Sequence, residues 1–259
     1  MKRMPVVFAG HGNPMHALSN NAYTKALTRL GQEIGKPKAV VCVSAHWMTK
    51  GAWVTHMAKP KTIHDFYGFP PELFAVEYPA PGSPETAELV RRTVREPEIR
   101  LDDASWGLDH GAWAVLRHMY PEADVPVIQL SVDNDQPGGH HLAIGRNLVP
   151  LRERGVLIVG SGNIVHNLAK MKWSVDPQPY DWNVEFDSFV KRETEAGNAD
   201  GLAGDPRGMP GGALSVPTTD HWYPYLYVLG AADGDKVRWE HEGLENASMS
   251  MRCASFGIA

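Results

Sequence analysis

At 259 residues the chain fits one large α/β domain or two small ones. A hydrophobic fraction of 43% against 21% charged is ordinary for a globular protein. A net charge of -5 argues against nucleic acid or an anionic membrane as the main partner, since both want a basic face.

No run of about 18 apolar residues occurs, so no membrane span is expected. The start, Met1-Lys2-Arg3-Met4-Pro5, passes directly into Val6-Val7-Phe8-Ala9-Gly10, an apolar β-branched run that reads as a buried strand. A signal peptide would need a longer apolar region and a cleavage site, so a cytoplasmic location is expected. Gly10-His11-Gly12 permits a tight turn and close backbone approach, but it lacks the third glycine and downstream acid of a dinucleotide loop. Ala22, Tyr23, Ala26, Leu27, Leu30 and Ile34 recur at helical spacing, and Gly35 ends that helix. Val40-Val41-Cys42-Val43-Ser44-Ala45-His46-Trp47 is a second buried run, stopping at His46. Residues 52–56 read as a short edge strand. Residues 62–81 form a long loop rich in aromatics and proline, suited either to a lid or to an aromatic mini-core that fastens the loop. Ser83-Pro84-Glu85 starts a helix that runs to about Arg95, with an N-cap serine, a first-turn proline and an acid at the positive end of the dipole. Residues 106–113 lead into a helix through Met119. Residues 125–132 are a buried strand, and the helical pattern after it is expected to kink or split at Pro150. Val156-Leu157-Ile158-Val159-Gly160 then runs through Ser161-Gly162-Asn163 to His166. Residues 181–196 look helical, 197–212 read as a surface loop, and 218–224 open an apolar helix through Leu229. Alternation at Val237, Trp239 and His241, and at Met249, Met251 and Cys253, suggests a terminal antiparallel pair. Nothing in repeats or composition divides the chain. Residues 1–259 therefore read as a single α/β domain, with a mixed sheet between helical layers. Cys42 and Cys253 lie in apolar runs and read as buried free thiols.

The unusual counts are 12 His and 8 Trp, which direct attention to a metal or aromatic-lined site. Three buried runs lead to His11, His46 and His166, at the strand ends where ligands of open α/β sheets bind. His221 lies near a helix start, where the positive dipole end favours neutral imidazole, the form that ligates metal. His16, His56, His118, His140, His141 and His241 have no special context and read as surface or helix residues. A site built mostly of histidine suits Zn, Fe or Cu and does not suit Mg or Ca. The cysteine count excludes a Cys-His zinc finger, no HExxH occurs, and Ser161 lacks a nucleophile elbow.

Six stretches resemble one family. Gly10-His11-Gly12-Asn13-Pro14-Met15, Ser44-Ala45-His46-Trp47, Ile63-His64-Asp65-Phe66-Tyr67-Gly68-Phe69-Pro70, Gly107-Leu108-Asp109-His110-Gly111, Gly162-Asn163-Ile164-Val165-His166-Asn167 and Asp220-His221 stand in the order found in the 4,5-DOPA extradiol dioxygenase-like proteins, a branch of the class III extradiol ring-cleaving dioxygenases. The resemblance covers nearly the whole chain. It implies a single-domain α/β/α sandwich around a mixed, mainly parallel sheet, with one divalent metal ion bound by His11, His46 and His221. It makes His166 either an added ligand or an acid/base residue, and His110 a pocket histidine able to hydrogen-bond a bound oxygen or substrate hydroxyl. The partners it implies are a small DOPA-like catechol and O₂, giving a semialdehyde acid. Non-haem Fe(II) oxygenases usually offer two histidines and a carboxylate, whereas the third position here is His221. Fe(II) is expected for dioxygenase activity, and Zn(II) would also bind such a set. The alternative is a zinc-dependent hydrolase that uses the same histidines to activate water. A non-enzymatic, metal-stabilised binding domain would instead close its site.

Overall fold

The structure is a computed structural model that describes residues 3–258. Met1 and Lys2, part of the start weighed above as a signal peptide, and Ala259 lie outside the described residues. In chain order the elements are β1 (Val6–Gly10), α1 (Ala22–Ile34), β2 (Ala39–Thr49), β3 (Ala52–Thr55), α2 (Pro71–Phe74), α3 (Pro84–Thr93), β4 (Ile99–Asp102), α4 (His110–Met119), β5 (Val127–Asp133), α5 (Gly138–Glu153), β6 (Val156–Gly162), α6 (Asp181–Glu195), α7 (Ala199–Leu202), α8 (Gly212–Ser215), α9 (Tyr223–Ala232), β7 (Val237–His241), β8 (Leu244–Glu245), β9 (Met249–Ser250) and β10 (Cys253–Phe256).

Eight strands form one sheet in the order β4-β3-β5-β2-β6-β1-β10-β7. The central β5-β2-β6-β1 strands are parallel, and antiparallel pairings at β3–β5 and β1–β10 make the sheet mixed. Because side chains alternate along a strand, each central run feeds two cores. Val7, Val40, Cys42 and Val159 pack with Leu27 and Leu30 of α1 and Trp113 and Leu116 of α4. Val6, Phe8, Val41, Val43 and Ile158 pack on the other face, against α3, α5, α6 and α9. The result is the expected helix–sheet–helix sandwich. Both cysteines are buried free thiols. No helix among the described residues is long and apolar enough to cross a membrane.

Several local expectations change. The strand β3 is not the edge, because β4 pairs outside it in parallel. Four alternating residues, Ile99-Arg100-Leu101-Asp102, are too short a signal to stand out as a strand. Helix α5 runs unbroken through Pro150 to Glu153. The proline sits in the last turn, so the single donor it lacks is lost where the helix is about to end. Residues 197–212 hold two short helical turns, at Ala199–Leu202 and Pro206–Gly208, in place of an open loop. β7 does pair antiparallel with a C-terminal strand, but that strand, β10, begins only at Cys253; Met249 belongs to a small separate hairpin of β8 with β9, and Met251 lies between the two.

Helices α5 and α9 touch backbone to backbone. A Cβ on Gly145 would meet the Tyr227 carbonyl oxygen at 2.3 Å, and one on Gly230 would meet the Leu142 carbonyl oxygen at 2.3 Å. In an isolated helix Gly→Ala is worth about 1 kcal/mol in favour of alanine. Here the overpacking cost of about 1–3 kcal/mol outweighs that gain. Gly145→Ala and Gly230→Ala should therefore each lower the midpoint of urea unfolding, and a raised midpoint in either variant would mean that the helices can separate cheaply.

Candidate metal centre

The carboxyl ends of the parallel strands bring five histidines together. His11 follows β1 directly, and its N–H donates to the Gly162 carbonyl at the end of β6. Glycine is required just before it, since a Cβ on Gly10 would lie 2.9 Å from the Ser250 carbonyl oxygen. His46 was expected just past a strand end, but it lies inside β2. Between Val43 and Met48 the ladder to β5 breaks register, and the chain swings out and rejoins. Such an irregularity re-aims a side chain, here towards the site. His221 precedes α9, and its carbonyl accepts from Asn163 N–H at 3.0 Å, so the end of β6 holds it. A Cβ on Gly162 would meet that carbonyl oxygen at 2.2 Å. His166 forms an isolated bridge with Met249.

Asp109 ties two of these placements together. It caps α4, accepting from Ala112 N–H, and so sets His110 in the first turn. The same carboxylate accepts from Ser44 Oγ of β2 at 2.7 Å and from Gln129 Nε2 of β5 at 2.7 Å. Burial, with the nearby Asp65 charge, pushes its pKa up despite those bonds.

The ring centroids of His11, His46 and His221 lie 5.0, 5.1 and 5.1 Å apart. His110 stands 4.0 Å from His46, and His166 stacks on His221 at 3.5 Å and 7°. Ligand-capable atoms of His11, His46 and His110 all lie within 4.8 Å of one another, as do those of His166, Asp220 and His221. The structure thus joins all five sequence-selected histidines in two adjoining groups.

Hydrogen bonds orient two of the rings, His11 and His221, and a carboxylate faces the third. Ser161 Oγ donates to the Gly111 carbonyl at 2.6 Å, so it must accept from His11 Nδ1 at 2.9 Å. That puts the His11 proton on Nδ1 and leaves Nε2 with a lone pair. His46 Nδ1 faces Asp65 at 3.3 Å, and His221 Nδ1 faces Asp220 at 2.5 Å. His46 and His221 turn the opposite nitrogen, Nε2, away from those carboxylates. His11 Nε2 and His46 Nε2 end 3.1 Å apart, a distance at which they share a proton or hold one cation between them. Tethering the outer nitrogen of each imidazole is how proteins hold metal-binding histidines. Ser161, Asp65 and Asp220 were not singled out from the sequence. Asp220, adjacent to His221, was the most findable of them.

Burial, followed by repulsion from neighbouring imidazoles, lowers the pKa of His11, His46 and His166 well below the ordinary value. Burial works to raise the Asp65 pKa, but the His110 backbone N–H, which donates to it at 2.9 Å, and the His110 ring beside it bring it down. Asp220 is likewise lowered, against its burial, by His221. His110 Nδ1 lies 3.0 Å from Asp65 Oδ1 but is not aligned to bond with it.

A cavity of about 450 Å³ opens over these histidines. The 62–81 loop lines it with Asp65, Phe66, Tyr67 and Phe69, and Met171, Trp173, Met249 and Met251 line it elsewhere. Both readings of that loop apply. Phe66 packs on Phe69, Phe74 and Trp113 as a mini-core, and also meets the His110 ring at 5.6 Å. Tyr67, 91% exposed, stands at the mouth. Two histidines expected to be ordinary are buried: His16, which bonds Glu245, and His141, stacked on Tyr223.

Known proteins share this arrangement of chain. A family profile described as the catalytic LigB subunit of aromatic ring-opening dioxygenase matches residues 5–257. A 4,5-DOPA dioxygenase extradiol of Escherichia coli K12 is 45% identical over 98% of this chain and 95% of its own length. One from Beta vulgaris is 36% identical over 94% and 92%. The crystal structure of an uncharacterized Escherichia coli K12 protein superposes with a TM-score of 0.86 at 41% identity, covering 98% of this chain and 100% of that one.

The depressed histidines set a pH dependence for the metal-free protein. Well above pH 6.5 the imidazoles of His11, His46 and His166 are neutral in the folded and the unfolded chain alike, and their contribution to stability is level. Below it the unfolded chain binds protons that the folded site refuses, so stability falls with pH, down to the folded-state pKa values. The lowered carboxylates Asp65 and Asp220 add their loss only below about pH 4. Thermal unfolding should therefore weaken between pH 6.5 and 5, and a decline that begins only near pH 4 would show the histidines to be ordinary.

Proposed function

The chain belongs to the family of the catalytic LigB subunit of aromatic ring-opening dioxygenases and is an enzyme of the 4,5-DOPA extradiol dioxygenase type; from that membership we propose that it opens a catechol ring with O₂ at one divalent metal ion held by His11, His46 and His221. The observation that carries this reading is the trio of equally spaced rings, their Nδ1 atoms facing Ser161, Asp65 and Asp220 and the Nε2 atoms of His11 and His46 meeting at 3.1 Å. Three imidazoles sharing a tetrahedral ion through bonds of about 2 Å have centroids roughly 5 Å apart, so the residues fit such a group. An all-histidine set suits Fe(II) and suits Zn(II) at least as well, the latter ranking higher in intrinsic affinity. Bound there, Fe(II) would supply the one-electron chemistry that joins catechol to O₂, which no side chain provides.

The remaining work falls to the chain itself. The aromatic wall from Phe66 and Phe69 holds a flat ring edge-on to the histidines and excludes water. His166 lines the cavity and is placed to take a proton from a catechol hydroxyl and return it later. Its stacking on His221 keeps it within reach of the same centre, where it can also ligate. His110, beside His46, is placed to hydrogen-bond a substrate oxygen. All five histidines gather at one edge of one sheet, which supports treating the chain as a single catalytic domain. Two buried free thiols suit a reducing compartment, in keeping with a cytoplasmic location.

Anaerobic reconstitution with Fe(II), followed by O₂ uptake with a panel of catechols, tests the proposal. Fe(II) protein should consume O₂ and form a ring-opened semialdehyde, and the Zn(II) form should not. Hydrolytic activity with Zn(II) and no O₂ uptake with Fe(II) would transfer the site to the hydrolase alternative. Two variants then separate the roles of the histidines. His46→Ala should lose metal and activity together. His166→Ala should keep most of its metal and lose roughly 10²–10⁴-fold in turnover, the contribution of a general acid/base. Equal metal loss in both would make His166 a ligand first.

A further inference from the structure

The cavity is chemically polarised. Its floor is histidine and much of its wall is aromatic or thioether. Of the described residues lining it, the carboxylates are Asp65 and Glu245, and none is lysine or arginine. Asp65 is committed to His46 and His110. Glu245 is not committed in that way. Its Oε2 accepts from His16 Nε2 at 2.9 Å. Asn21 Nδ2 donates to the other His16 nitrogen at 3.3 Å, so the bond to Glu245 needs no charge on the ring. Its Oε1 has no hydrogen-bond partner among the described residues, and 37% of the side chain stays exposed.

Strand register aims this carboxylate inward. Glu245 pairs with Met249 across the β8–β9 hairpin, and Met249 is bridged to His166. Cross-strand partners point to the same face, so Glu245, Met249 and His166 form one wall. Two ladder steps of about 5 Å place Glu245 roughly 10 Å from His166 along it. A catechol seated diol-first on the histidines extends the arm on its far side towards this position.

We propose that Glu245 selects substrates by the charge of that arm, favouring catechols with a protonated amine over those with a carboxylate alone. The proposal rests on the catechol reading of the site. A cationic arm gains an unneutralised carboxylate, whereas an anionic arm meets that carboxylate and finds no compensating cation on the wall. An amino-acid arm falls between the two.

Calorimetry on the Zn(II)-loaded protein tests this without turnover, using dopamine, neutral methylcatechol and hydrocaffeate, which carries a carboxylate and no amine. Dopamine should bind about five-fold more tightly than methylcatechol, the scale of a partly exposed ion pair, and hydrocaffeate should bind most weakly. Added salt should shrink the spread. Glu245→Gln keeps an acceptor for His16 and removes the charge. It should bring dopamine to the level of methylcatechol while leaving methylcatechol itself unchanged. Hydrocaffeate binding as well as dopamine would overturn the proposal, as would a Glu245→Gln variant that weakens all three alike. Oxygen uptake by the Fe(II) form separates the two levels. Amine preference without uptake removes the dioxygenase reading and leaves the selectivity. Uptake without preference removes the selectivity alone, and absence of binding by every catechol removes both.

Discussion

Five imidazoles share one small volume, and the site depends on keeping charge off His11, His46 and His166. Two unit charges about 5 Å apart at an effective dielectric constant near 20 repel by roughly 3 kcal/mol, so even two imidazolium rings here would be a serious load on a protein of ordinary stability. The fold meets this constraint twice. Burial penalises the charged form of His11, His46 and His166. Ser161 and Asp220 then bond the outer nitrogens of His11 and His221, and Asp65 stands 3.3 Å from that of His46. Their opposite nitrogens are left to meet one another, as those of His11 and His46 do at 3.1 Å. Imidazoles gathered in this way are ready to receive a cation, which links the electrostatics of the fold to the reading of the site as a metal centre.

The sheet makes that convergence possible by bringing backbones closer than side chains would allow. Gly10, Gly162 and Gly111 each stand where a Cβ would collide, with the Ser250 carbonyl, the His221 carbonyl and Ser44 Oγ respectively. Without these approaches, strands β1 and β6 and helix α4 would hold their histidines too far apart. The buried Asp109 does the complementary work by bonding. It joins the start of α4 to β2 and β5, so that His110 and His46 move as one unit.

Much of this was legible in the sequence. Continuous apolar runs marked β1, β2 and β6, because burial on both faces leaves little room for polar alternation, while β5 carries Gln129 and Ser131, buried but bonded to Asp109 and Thr49. Histidines at the ends of those runs located the site. The less legible parts depend on contacts between segments distant in sequence. The register break in β2 that aims His46 answers to β5 and leaves no local mark. Strand β4 is four residues long and gains its place only by pairing with β3. Ser161 looks like any small strand residue until its partners, His11 and Gly111, are seen to be 150 and 50 residues away. His16 and His141 do lie in helical turns, as expected, but their burial was not legible, since what buries them comes from elsewhere in the chain.

The thioethers of Met171, Met249 and Met251 line the same cavity. Methionine is flexible and polarizable, so this part of the wall can reshape around rings with different substituents more readily than an aliphatic one. Conversion to the sulfoxide would turn this pliant apolar surface into a polar one beside the histidines; Met249 and Met251 are buried and so shielded, and Met171 is the more accessible of the three. The part of the wall best able to adapt to a ring is thus also the part with most to lose to oxidation, and burial is what protects it.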